Sequence, residues 1–374
     1  MQITPFAVEQ WMNAHETECR YNLAETCVAS LSIAELLDVV GRPASTLAEL
    51  LPLKMTYGAI EGSDRLRAAI AALYAAQSSH NVLVTHGAIG ANSLVYQALV
   101  SAGDRVVTIV PNYQQHYSIP ESLGADVRRL HLRADQDYLP DLEELRRLVT
   151  PGTKLISFSN LNNPTGSLID RACIDEIVRV ASAVGAYILS DEVYRGTTQQ
   201  GDAHTPSIAD LYPKGISTGS MSKAFSLAGL RLGWICGPSE VLRAAEIHRD
   251  YTTISVGMLD DFFASIALEN SVKILARSRS IVRTNLATLD RWMQSEDAMA
   301  YVKPRAGTVA LLRYSFDLPS HDFCVRLLDQ TGVLLTPGSA FEVEGCVRIG
   351  YANEHAILEQ GLQLTSGFLR RLAA

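Results

Sequence analysis

Short apolar runs of strand character alternate with longer amphipathic segments through the first two thirds of the chain. Residues 82–84, 105–110, 154–159 and 186–190 read as strands. Residues 88–101, the stretch after Pro111 to about Leu123, and residues 170–184 read as helices. Alternation of this kind confines the chain to an α/β fold, a mostly parallel sheet with helices on both faces. Beyond Pro238 the pattern turns mainly helical, and runs at 308–312, 332–335 and 347–349 predict a small mixed unit near the end.

In an open parallel sheet, ligands sit beyond the carboxyl ends of the strands. The polar clusters there are His86-Gly87-Ala88, Pro111-Asn112-Tyr113, Asn160 to Gly166, Asp191-Glu192 and Ser220 to Lys223, and the topology predicts that they converge on one crevice. The 374 residues are 47% hydrophobic and 19% charged, enough apolar material for a large core and too little charge for disorder. Thirty-two basic against 40 acidic residues leave a net charge of −8, which argues against a phosphate-backbone binder, so no nucleic-acid partner is expected. None of the six cysteines forms a C-x-x-C pair or lies at metal-ligand spacing, so no metal is expected. Glu9, Glu16 and Glu18 interrupt the first twenty residues, and no window of 18 apolar residues occurs. A cytoplasmic protein without leader or membrane span is expected.

The densest donor set is Ser220-Met221-Ser222-Lys223 with Arg231. Two hydroxyls, an ammonium and a guanidinium suit a phosphate dianion. The following residues 224–230 are too apolar for a solvated face, so Lys223 is expected to be desolvated, with a lowered pKa and a nucleophilic amine. The same residues fit the S-x-x-K pattern of serine acyltransferases, but the K-T-G partner of those enzymes is missing. Asn163 follows a strand in a Pro- and Gly-fixed turn, and Asp191 emerges at the sheet edge. Each alone is as well explained by a turn former or a helix cap. Their joint occurrence ahead of the lysine is not.

The set Tyr57, Gly87-Ala88, Tyr113, Asn163-Pro-Thr-Gly, Asp191-Glu-x-Tyr194, Ser220-x-Ser-Lys223, Arg231 and Arg348 resembles class I/II aminotransferases, fold-type I enzymes that use pyridoxal 5′-phosphate (PLP). The resemblance runs from about Asn22 to Arg348. It implies a large domain with a mostly parallel sheet flanked by helices, spanning about 46–270. Residues 1–45 and 271–374 would form a smaller α+β domain. It also implies that Lys223 holds PLP as a Schiff base and shuttles the proton at the substrate α-carbon, while Asp191 pairs with the ring nitrogen. Asn163 and Tyr194 would face the ring's phenolic oxygen, and Tyr113 would stack on its face. The backbone amides of Gly87, Ala88 and Ile89 would bind the phosphate at a helix N-terminus, with Ser220, Ser222 and Arg231 completing the cup. Tyr57 would reach that cup from a second subunit of a homodimer, and Arg348 would fork onto the substrate α-carboxylate.

Departures from the family pattern bear on the substrate. Leu161 replaces a proline, and residues 21–27 lack the glycine-rich stretch over the substrate, placing Glu25 there instead, either near the substrate side chain or as a solvated loop carboxylate. His116 is expected as a partly exposed helix histidine, with contact to the substrate or cofactor rim as the alternative. The implied activity is amino transfer between an L-amino acid and a 2-oxo acid. Residues 249–255 with 304–307 resemble the capreomycidine synthase branch of the same scaffold. That likeness implies non-transaminating chemistry (cyclase, oxidase or lyase) on a cationic amino acid such as arginine, under an acidic lid of Glu16, Glu18 and Glu25.

Overall fold

The computed structural model describes residues 2–201 and 205–373. Its largest sheet has seven strands, in the order Val82–Thr85, Gly233–Cys236, Gly215–Ser220, Tyr187–Asp191, Thr153–Ser159, Arg105–Val110, Asp126–His131. All neighbours run parallel except Gly233–Cys236, which is antiparallel to both strands beside it.

Side chains alternate across a strand, so adjacent apolar residues feed opposite faces. Val106, Leu155, Leu189 and Ile216 pack with Leu94, Val95 and Val241 of helices Gly87–Leu99 and Ser239–Asp250. Val107, Ile156 and Ile188 pack on the other side with Leu145, Ile174 and Ile177 of helices Leu142–Leu148 and Arg171–Val184. Each fully buried branched side chain contributes about 1.5–3 kcal/mol of burial. The continuous apolar runs of the sequence are therefore strands covered twice.

A four-stranded antiparallel sheet follows, ordered Thr336–Pro337, Cys346–Gly350, Val309–Tyr314, Met299–Tyr301. Its core takes in Trp11, Leu23, Ala24 and Val28 from the start of the chain together with Leu358 and Phe368 of the last helix. Tyr21–Asn22 pairs in parallel with Val333–Leu334, so the N-terminal segment is stitched to this smaller unit. Leu36 and Val40 lie instead in the core beside Leu66, Phe225 and Phe263. No helix among the described residues is long and apolar enough to cross a membrane.

Candidate active site

The strand ends of the large sheet, the N-terminal segment and the strand Cys346–Gly350 enclose a cavity of about 320 Å³. Lys223, Asp191, Asn163, Tyr194, Tyr113, Ala88, Ile89, Ser220, Ser222, Arg231, Arg348 and Glu25 all line it. Gly87 lies just behind Ala88. Tyr57 is elsewhere, 76% exposed on the outer surface.

One end of the cavity is built for an anion. Helix Gly87–Leu99 opens on Gly87 in the left-handed region at φ +65°, and Ala88 and Ile89 of its first turn, whose N–H groups have no intrahelical acceptor, line the cavity. A Cβ at Gly87 would lie 3.3 Å from Arg231 Nη2, so glycine keeps room between the helix start and the guanidinium. Arg231 itself is held at φ +47°, a strained conformation for a residue with a side chain. Gly87→Ala is expected to lower affinity for a phosphate-bearing ligand by about tenfold, checked by titration, with an unchanged affinity counting against an anion site here.

At the other end Asp191 is buried, and its Oδ2 accepts from Asn92 Nδ2 at 2.8 Å. His116 corrects the expectation of partial exposure. It is fully buried, because residues Gln115–Pro120 of helix Gln115–Ser122 are all enclosed, with Nδ1 3.0 Å from the Tyr96 hydroxyl and Nε2 3.8 Å from Asp191 Oδ2.

Lys223 sits between these ends. Its Nζ donates to Thr26 Oγ1 at 2.6 Å and lies 3.5 Å from Cys27 Sγ and 3.9 Å from Glu25 Oε1. The expected lowering of its pKa is not found. Burial and the nearby Arg348 guanidinium act that way, but Cys27, Tyr194 and the Glu25 carboxylate outweigh them and hold the ammonium above its ordinary range. Burial likewise pushes the Cys27 thiol up to about 11, so that it faces the lysine as a neutral group at neutral pH.

The loop carrying Glu25 is shaped by Asn22, whose side-chain oxygen accepts the N–H groups of Ala24 and Glu25, both at 3.0 Å. Glu25 Oε1 accepts from Thr26 N at 2.6 Å and Cys27 N at 2.8 Å. Burial raises its pKa, but Lys223 and these N–H groups prevail, and the carboxyl titrates below its ordinary value. The loop lies close against the strand that carries Arg348: a Cβ on Gly350 would fall 1.8 Å from the Glu25 carbonyl oxygen.

Arg348 is 2% exposed. Its Nη atoms donate to Asn163 Oδ1 at 3.2 Å, Ala24 O at 2.9 Å and Thr336 Oγ1 at 3.0 Å, and its Nε has no partner among the described residues. In the turn before it, Asn160 and Asn162 are spent on backbone groups of Ile169 and Thr165, which leaves Asn163 facing the cavity.

The acidic rim differs from the expected one. Glu16 and Glu25 line the cavity, Glu18 does not, and Glu9 takes its place. Glu9 Oε1 accepts from the Tyr113 hydroxyl at 2.6 Å, and Phe6 packs on the Tyr113 ring at 4.6 Å. Burial, with Glu25 and Glu9 as like charges, raises the Glu16 pKa. Four residues of the site, Glu9, Thr26, Cys27 and Asn92, carry no local sequence signal that marks them for it. Among the described residues no His/Cys/Asp/Glu cluster could hold a metal ion.

A helix N-terminus beside a guanidinium, a buried carboxylate and a lysine, all in one cavity, fit PLP. A family model described as aminotransferase class I and II matches residues 47–362. The chain belongs to that family. It is a PLP-dependent enzyme by that membership. It is 42% identical to a PLP-dependent aminotransferase from Streptococcus suis 89-1591, whose crystal structure superposes with a TM-score of 0.96 over 100% of this chain and 99% of that one. It is 30% identical over 360 residues to the capreomycidine synthase of Streptomyces vinaceus, covering 96% of this chain and 92% of the relative. A solved PLP-dependent cyclase, OrfR, is 30% identical with a TM-score of 0.92, covering 99% of this chain and 98% of that one.

Proposed function

We propose that the enzyme transfers the α-amino group of an L-amino acid with a cationic side chain to a 2-oxo acid. The observation that carries this reading is Arg348, a buried guanidinium in the wall of the lysine's cavity with donor capacity left over, as recognition of an α-carboxylate requires. When bound, PLP supplies an electron sink for the pair released at the α-carbon. Lys223 would hold the cofactor and move the α-proton, with Thr26 orienting its amine. Asp191 would keep the ring nitrogen protonated, and Asn163 and Tyr194 would face the phenolic oxygen. Tyr113, latched by Glu9, would cover the ring face.

Glu9, Glu16 and Glu25 support the cationic side chain. Because Glu25 titrates below its ordinary value, it is anionic at every pH above that value. Its contribution to binding is therefore expected to be flat from pH 9 to 5 and to fall only in stronger acid. Glu25→Gln and Glu9→Gln are each expected to lower kcat/KM for arginine by about tenfold while changing norleucine by less than threefold. Equal losses on both substrates would sink the charge-recognition idea.

The relatives include an aminotransferase, a capreomycidine synthase and a cyclase, and the same acidic rim supports a second reading, a non-transaminating enzyme on a cationic amino acid. Arginine carrying ¹⁵N at the α-amino group, incubated with the PLP-loaded protein and pyruvate, separates the two. Label in alanine means amino transfer, and arginine consumed without labelled alanine means cyclase, lyase or oxidase chemistry.

We also infer a cytoplasmic homodimer in which Tyr57 completes the partner's phosphate cup. The exposed apolar residues Leu51, Met55, Tyr57, Tyr251 and Ile254 support it. Residues 46–270, with helix Ile33–Val40 packed into their core, would form the large domain, and the segment before that helix with 271–374 the part that closes over the substrate.

A further inference from the structure

We propose that Asn92 and Thr218 form a positioning relay that holds Asp191 as a carboxylate against the cofactor ring, an inference that rests on Asp191 facing the ring nitrogen. Asn92 lies on the second turn of helix Gly87–Leu99, and Thr218 on the strand Gly215–Ser220. They are 1% and 0% exposed. The Thr218 hydroxyl donates to Asn92 Oδ1 at 2.8 Å, and Asn92 Nδ2 donates to Asp191 Oδ2 at 2.8 Å. The other Nδ2 hydrogen has Gln115 Oε1 at 3.4 Å, and Gln115 is fixed in turn by donating to Ile89 O at 2.9 Å.

This arrangement determines which way the amide points. Turning it over would set the Asn92 oxygen against the Asp191 carboxylate and its NH₂ against the Thr218 oxygen, with Gln115 Oε1 facing a second acceptor. The Thr218 hydroxyl could accept from the turned amide, but the Asn92 oxygen would then meet two acceptors, Asp191 Oδ2 and Gln115 Oε1, with no proton between them in a buried site. The amide therefore presents N–H to Asp191.

A donor to the charged form of a carboxylate favours that form. The second Asp191 oxygen, Oδ1, accepts from Val193 N at 3.2 Å, and His116 Nε2 stands off at 3.8 Å from Oδ2. Asn92 is thus the side chain that donates to Oδ2 at hydrogen-bond length, and Thr218 is what aims it. Held by these donors, Asp191 would face the ring nitrogen as an acceptor, and a proton held on that nitrogen would make the ring the better electron acceptor.

The test uses the full-length, PLP-loaded protein and three variants: Asn92→Leu, Thr218→Val and the double variant, with Asp191→Asn as reference. PLP affinity and the ¹⁵N chemical shift of ring-labelled PLP are read without substrate. Asn92→Leu is expected to weaken PLP binding by about tenfold and to move the ring nitrogen signal toward its unprotonated position. Thr218→Val keeps the strand residue's shape and does not touch the helix, so it carries the test if Asn92→Leu folds poorly. It is expected to move both readouts in the same direction by less. The double variant is expected to match Asn92→Leu alone, because the two side chains act in series. A packing role would leave the nitrogen shift unchanged. A wild-type ring signal in both single variants, or additive losses in the double variant, overturns the relay while Asp191→Asn remains impaired. Wild-type PLP affinity and ring signal in Asp191→Asn itself would overturn the cofactor reading and the relay together.

Discussion

Lys223→Ala is expected to reduce turnover by about 10⁴-fold, the upper range for loss of a positioned acid–base group. Among the described residues Lys223 supplies the one lysine amine that lines the cavity, and in the proposed reading that amine would both hold the cofactor and carry the α-proton. The fold should survive the change. Lys223 anchors no apolar core, and its neighbour Glu25 keeps two backbone N–H donors after the ion pair is gone. Borohydride reduction followed by peptide mass spectrometry checks the holding role, because the wild-type peptide containing Lys223 should gain the cofactor mass and the variant should not. Small amines added to the variant should restore part of the activity. A variant that retained wild-type rates would remove Lys223 from the chemistry altogether.

Arg348→Ala is expected to lower kcat/KM by about 10²–10³-fold, or about 3–4 kcal/mol of transition-state binding. The guanidinium is buried and planar, and its fork matches a carboxylate as a lysine ammonium cannot, so Arg348→Lys should recover little. Part of the effect is structural. The Thr336 hydroxyl and the Ala24 carbonyl lose a donor, and thermal stability should drop by about 1–3 kcal/mol. The substrate-binding part is isolated by comparing an amino acid with its decarboxylated amine. The amino acid should lose its advantage in the variant while the amine is processed as before. An unchanged KM for the amino acid would place its carboxylate elsewhere.

The parts of the site that follow strands are legible in the sequence because topology alone fixes where a strand end points. Asp191 and Asn163 follow runs of apolar residues that announce the sheet, whereas the strand before Ser220 and Lys223 reads Gly-Ile-Ser-Thr-Gly-Ser and carries no such run. The antiparallel course of Gly233–Cys236 is not legible, since a buried strand has the same composition in either direction. Nor are Glu9 and Thr26. Their partners Tyr113 and Lys223 lie 104 and 197 residues away, and no local pattern encodes contacts of that range. Asn92 carries no strand-end signal, being a polar residue inside a helix whose partners come from two separate strands. His116 runs against its local composition, because a Gln-Gln-His run is polar, whereas packing by the enclosed part of its helix, with a bond to Tyr96, decides its burial.

The N-terminal segment is threaded over the cavity, pinned by Trp11 Nε1 to Leu335 O, by Tyr21–Asn22 pairing with Val333–Leu334, and by the tight passage at Gly350. The groups that would meet a substrate side chain, Glu9, Glu16 and Glu25, all belong to this one short stretch. The groups that would touch the cofactor itself come from a different part of the chain, and the N-terminal stretch reaches them through Thr26 and Glu9. A lineage built this way can change its diet by rewriting a short stretch at its beginning, with the catalytic apparatus inherited intact.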